Sequence, residues 1–167
     1  MQSLSDSNLI DNLYGRLEDL RFVSGRGRYT GDLVPENTLH AVFFRSSVAA
    51  GKIKHFDCEQ AKIAPGVISI FTATDIAKDG ITEMVWTGVA TRDDGGRPIK
   101  SPRPILSNKQ IRHVGEPIAM IVAKTKQSAL DALDLIEVDI ENASSVSLSK
   151  CNIFNGPFVW PGSKDNI

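Results

Sequence analysis

The sequence predicts an α+β fold, a mixed sheet of about five to six strands with two or three short helices packed on it. Short runs rich in β-branched and aromatic residues recur along the chain, each bounded by glycine, proline or a polar cluster. Between them lie brief stretches with apolar residues at helical spacing, none long enough for a helical bundle. The length of 167 residues suits one such domain. Units of this size bury roughly 68–70% of their unfolded surface, enough for a core.

Apolar residues make up 41% of the chain, and the formal charge is −1 from 19 basic and 20 acidic residues. That balance leaves no electrostatic footprint for nucleic acid or an anionic membrane. The opening "MQSLSDSNLIDNLYG" has no basic segment and no continuous apolar run, so it does not read as a signal peptide. No window approaches the ~20 apolar residues of a membrane span. A soluble, cytoplasmic protein is expected. The two cysteines, Cys58 and Cys151, are far apart and fit a reducing compartment as well as a single disulfide.

Residues 1–15 read as a polar arm. In "RLEDLRFVS", Leu17, Leu20 and Val23 recur at helical spacing, and Gly25 stands where a left-handed cap falls. A helix is therefore predicted over 16–24. The glycines of "SGRGRYTG" then close a helix and steer the chain toward a strand. A phosphate loop needs the opposite order, a strand before the glycines and a helix start after them. Arg26 and Arg28 accordingly read as solvated surface residues.

Residues 38–46, "TLHAVFFRS", form the first predicted strand, and "GKIKHFD" a short second one whose inward face the pattern leaves open. Asp57 and Gln60 are spaced as a capping box for a helix ended by Pro65 and Gly66. A buried strand follows at 67–71, then one helical turn capped by Thr74. The stretch 79–108 is rich in glycine and proline and has no sustained period. Its apolar residues Met84, Val85, Trp86 and Val89 hint at a partner surface. At 118–123 both faces of the strand are apolar, and Gly115, Glu116 and Pro117 predict a bend or bulge before it. Thr125 caps a helix carrying the stripe Ala129, Leu130, Leu133 and Ile136. A half-buried strand is predicted over 137–141, then a serine-rich tail with Phe158, Val159 and Trp160 between two prolines and little to pack against.

Glu116 in "HVGEP" is the most catalytic-looking residue, a carboxylate held beside a proline. Structural hydrogen bonding at the bend is the favoured role. His113 and His40 read as packed or surface imidazoles. His55 and Cys58 are spaced as a fragment of a metal site, but a buried thiol is the simpler reading. Asp93 and Asp94 beside Gly95 and Gly96 form a flexible turn with too few ligands for Ca²⁺. There is no nucleophile elbow, HExxH or Walker loop. No catalytic, cofactor-binding or metal residue is assigned.

Four segments in order carry a resemblance: "RLEDLRFVSGRGRYTGDL", "LHAVFFRSSVAAGKI", "APGVISIFTATDI" and "RPIL…IRHVGEPIAMIVAKTKQSALDALDLIEVDIE". Together they resemble the N-terminal region of the large, molybdopterin-binding subunit of the aldehyde oxidase, xanthine dehydrogenase and carbon monoxide dehydrogenase family. The resemblance runs from about residue 16 to 141, with an echo in "FVWPGSKDNI". It implies an α/β-hammerhead domain over 16–141 and, over 142–167, an extended tail leading toward a molybdenum-binding domain.

It also implies a parent oxidoreductase that hydroxylates aldehydes or N-heterocycles, or oxidises carbon monoxide, with water as the oxygen source. A molybdopterin-type molybdenum cofactor and iron–sulfur and flavin partners are implied for that enzyme. None of these is expected to be bound by this piece, whose role would be scaffolding, inactive alone. The alternative is a stand-alone adaptor for a separately encoded molybdenum-domain subunit. Residues 21–29 and 114–119 are given only structural or interface roles. The chain departs from the family pattern at "RSSVAAGKI", where members often carry a histidine-containing stretch.

Overall fold

The computed structural model describes residues 16, 18–81, 83–84, 95, 101, 103–147, 157–160 and 162. The expected arm at 1–15, Val85, Trp86, Val89, Asp93, Asp94 and Cys151 lie outside the described residues. The chain divides into two compact units, residues 1–38 and 39–167.

In the first unit, helix α1 spans Asp19–Val23. Its end is a Schellman turn: the Gly25 amide donates to Phe22 O at 3.0 Å and the Arg26 amide to Arg21 O at 2.9 Å. Gly25 sits at φ +69°, the left-handed position that its sequence context required. The Phe22 and Tyr29 rings then stack with centroids 5.5 Å apart. A 3₁₀ turn, Thr30–Asp32, follows, in which Asp32 accepts from the Tyr29 amide at 2.8 Å. The glycine segment thus closes a helix, as its order of elements predicted.

The second unit holds six strands and three helices among the described residues. They are β1 (His40–Arg45), β2 (Gly51–Asp57), α2 (Glu59–Lys62), β3 (Val67–Thr72), α3 (Ala73–Lys78), β4 (Gln110–Ile111), β5 (Pro117–Ala123), α4 (Lys126–Leu133) and β6 (Glu137–Asn142). The α+β class and the strand number agree with the sequence expectation. The strands, however, are shared between two three-stranded sheets, β1–β5–β3 and β4–β2–β6, and all neighbours run antiparallel. Both edges of β5 are taken by β1 and β3, so β2 pairs with β6 and β4 instead of extending one mixed sheet.

Register fixes the core. Val42 and Ile70 both lie opposite Ile121, making one row across the first sheet. That row faces the helices, where Ala129 and Ala132 of α4 and Ala61 of α2 are fully buried with Ala119, Ile121 and Ala123. Small side chains on both surfaces let helix and sheet approach closely. Helix α4 is capped by Thr125, whose hydroxyl accepts from the Ser128 amide at 3.1 Å. Its buried stripe is Ala129, Ala132 and Leu133, followed by Ile136, whereas Leu130 is exposed. The sequence reading counted Leu130 in one stripe with Ala129, Leu133 and Ile136; the helix phase turns it toward solvent.

Two further expectations are corrected. Helix α3 is capped by Thr72, not Thr74: the Asp75 carboxylate accepts from the Thr72 amide at 2.9 Å and hydroxyl at 2.6 Å. Only Thr72 has an acid at the third helical position, which completes the reciprocal cap. Strand β3 is an edge strand with Ile68 exposed, so it is half-buried rather than enclosed. At α2, Asp57 accepts from the Glu59 amide at 2.8 Å, while the capping position itself falls on Cys58. The two sheets meet where Phe44 packs edge-on against Phe56, centroids 6.1 Å apart.

Candidate functional site

The most constrained polar feature is the bend that feeds β5. Gly115 adopts φ +80°, and Pro117, which has no amide to donate, opens the strand. Every carbonyl of the bend from Gly115 to Pro117 finds a donor. Arg45 Nη1 reaches Gly115 O at 2.8 Å, the Ser46 amide reaches Glu116 O at 2.9 Å, and the Ser107 amide reaches Pro117 O at 2.7 Å. The β1–β5 register slips between Phe44 and Arg45, opposite this entry, which is the predicted bulge.

Glu116 is only 6% exposed, the one buried carboxylate among the described residues. Ser107 Oγ donates to Oε1 at 2.5 Å and the Arg112 amide donates to Oε2 at 2.5 Å. The Arg112 guanidinium lies 3.9 Å away and completes the charge balance. Its face covers the Trp160 ring at 4.1 Å. Above this group opens a cleft of about 470 Å³, lined among others by Met84, Arg103, Ile105, His113, Val159 and Trp160. A carboxylate with both oxygens engaged and a guanidinium across from it is an acceptor already in use.

The other residues singled out in the sequence do not converge here, apart from His113, Met84, Val159 and Trp160. The His113 ring is exposed, with Nδ1 3.0 Å from Val114 O. His40 opens β1, and His55 faces Asp139 across the β2–β6 ladder. Cys58 is a free, buried thiol whose burial raises its pKa, with Lys62 partly offsetting the effect. Arg26 donates to Ser24 Oγ at 3.2 Å. Among the described residues no three His, Cys, Asp or Glu side chains gather as for a metal ion, and no helix is long and apolar enough to cross a membrane. The sequence reading missed Ser107 and Arg112. Their only signal was proximity to Glu116: Ser107 lies near the end of the stretch read as loop, and Arg112 stands in the run that leads into the bend. Trp160, in a tail expected to have little to pack against, stacks on Arg112.

Comparison with known proteins agrees with this architecture. The family model described as "aldehyde oxidase and xanthine dehydrogenase, a/b hammerhead domain" matches residues 24–144. The chain is 31% identical over 160 residues to the nicotine 6-hydroxylase large subunit of Paenarthrobacter nicotinovorans, covering 96% of this chain and 19% of that protein. It is 32% identical over 126 residues to the carbon monoxide dehydrogenase large chain of Afipia carboxidovorans, covering 75% and 14% respectively. Among solved structures, aldehyde oxidoreductase from Desulfovibrio gigas superimposes with a TM-score of 0.73 at 26% identity, over 89% of this chain and 16% of that one. Quinoline 2-oxidoreductase from Pseudomonas putida 86 gives a TM-score of 0.65 at 34% identity, over 79% and 16%. The chain thus spans less than a fifth of the length of each of these relatives. On these grounds it belongs to the α/β-hammerhead family of the aldehyde oxidases and xanthine dehydrogenases.

Proposed function

We propose that this chain is the hammerhead part of a molybdenum hydroxylase large subunit and serves there as scaffold, without activity of its own. The whole enzyme would be a cytoplasmic oxidoreductase acting on aldehydes, N-heterocycles or carbon monoxide, with water as the oxygen source. It would work with a molybdopterin-type cofactor and with iron–sulfur and flavin partners. The observation that carries the reading is the match over 24–144 together with the small share of each relative that the chain spans.

The described residues fit the molybdenum cofactor poorly, which supports the scaffold role. An anionic cofactor takes its hold from several converging donors, yet the buried Glu116 and Ser107 bind each other and Ser46 Oγ binds Val48 O. The one buried side-chain polar atom without a partner among the described residues is Arg112 Nε, a single N–H beside Glu116 and Trp160. No reaction step is derived through the cofactor from these side chains. The test is to purify the 167-residue chain, measure molybdenum by mass spectrometry, and assay it with aldehyde, N-heterocycle and carbon monoxide plus an electron acceptor. Neither metal nor turnover is expected. Stoichiometric molybdenum or unaided turnover would refute the proposal.

Exposed apolar residues favour a second reading, an adaptor for a separately encoded molybdenum-domain subunit. Ile63 is 77% exposed and Ile68 51%, and an adaptor would cover such side chains with its partner's surface. Genomic sequence separates the two: an adjacent frame beginning with the molybdenum domain supports the adaptor, and one continuous longer frame supports the scaffold.

A further inference from the structure

We propose that Arg112, held in place by Glu116, is the docking point for the segment carrying Trp160, and that Glu116 acts as a positioning residue for this clamp. The guanidinium uses its edge sparingly. Nη1 is 3.4 Å from Gln110 O and 3.9 Å from Glu116 Oε1, and Nε is buried with no partner. What it does well is present its face to the indole, 4.1 Å from the ring centroid. Tryptophan is the best π surface for a cation, and the attraction grows when the pair is withdrawn from water. Arg112 is 19% exposed and Trp160 half-buried, so this pair is largely withdrawn.

The carboxylate supplies the other half of the device. Glu116 Oε2 accepts from the Arg112 backbone amide, which fixes the residue's Cα, while Oε1 faces its guanidinium. Ser107 anchors that same Oε1 with its hydroxyl. Trp160 and Val159 line the same cleft as Pro104, Ile105 and Pro117, and the indole stacks there on Arg112. This explains why the bend carries a glutamate when the site shows no use for a base.

The experiment uses the full chain with Trp86→Phe, which leaves Trp160 as the sole tryptophan, and reads acrylamide quenching together with amide hydrogen exchange. In this background Trp160 is expected to be shielded and residues 158–160 to exchange slowly. Arg112→Met should raise exchange at 158–160 roughly tenfold and expose the indole. The amides of residues 120–122 in β5 should stay protected. Glu116→Gln should move the same signals in the same direction, and Arg112→Lys should restore part of the protection.

Exchange at 158–160 as fast as in an unstructured peptide, with Arg112 intact, would overturn the proposal. So would unchanged quenching and exchange in Arg112→Met. If Arg112→Met fails to fold, Trp160→Leu tests the same contact from the tail side. There, lost protection at 158–159 with β5 intact supports the clamp, and retained protection refutes it.

Discussion

Ser107 and Glu116 form a buried side-chain pair, the hydroxyl donating to Oε1 at 2.5 Å, and it ties the loop ahead of β4 to the entry of β5. Removing one partner leaves the other in a dry site. Ser107→Ala should cost about 1–3 kcal/mol of stability, the usual penalty for a stranded buried polar group. Glu116→Ala should cost more, about 3–5 kcal/mol, because it strands the Ser107 hydroxyl, the Arg112 amide and a guanidinium at once. Glu116→Gln should fall between them. Urea unfolding of the three variants checks the order, and a neutral Glu116→Ala would contradict it.

The phase of α4 gives a second expectation. Ala132 is fully buried against the first sheet, while Leu130 is 38% exposed. Ala132→Leu should overpack the helix–sheet contact and cost about 1–3 kcal/mol. Leu130→Ala should cost less, about 1 kcal/mol, since more than a third of the residue already faces water. Thermal melts of both variants would decide. A costly Leu130→Ala beside a harmless Ala132→Leu would mean that the helix sits in the other phase.

Acid stability should depend on the cap of α3. The Thr72 hydroxyl and amide hold the Asp75 carboxylate below its ordinary pKa. A depressed folded pKa means that the unfolded chain binds its proton first as the pH falls. The stabilisation is complete above the unfolded value, about pH 3.9, and is lost as the pH drops through the lower folded value. Thr72→Val, which removes the hydroxyl donor, should flatten that part of the stability–pH curve. Asp75→Asn should flatten it further. Denaturant midpoints measured from pH 6 down to acid unfolding would show this, and curves parallel to the parent would sink it.

Local elements were legible where a few neighbouring residues supply the cause. Gly25 at φ +69° and Thr125 accepting from the Ser128 amide were readable because the required geometry is contained in four or five consecutive residues. The bulge at Gly115–Pro117 was readable for the same reason. The cap of α3 was placed two residues late because Thr72 and Thr74 look alike until the partner acid, Asp75, is matched to the right spacing. Leu130 was misplaced because one residue of helical rotation decides between core and water.

The order of motifs alone determined the family and the α+β class, since strand alternation, caps and the glycine turn are local consequences of side-chain shape. Only the tertiary structure decided that six strands divide into two antiparallel sheets, because pairing depends on which edges are already occupied. Only it showed that Ser107, Arg112, Glu116 and Trp160 share one site. Such contacts join residues whose separation along the chain carries no periodic signal, and their energy exists only once the intervening backbone has folded.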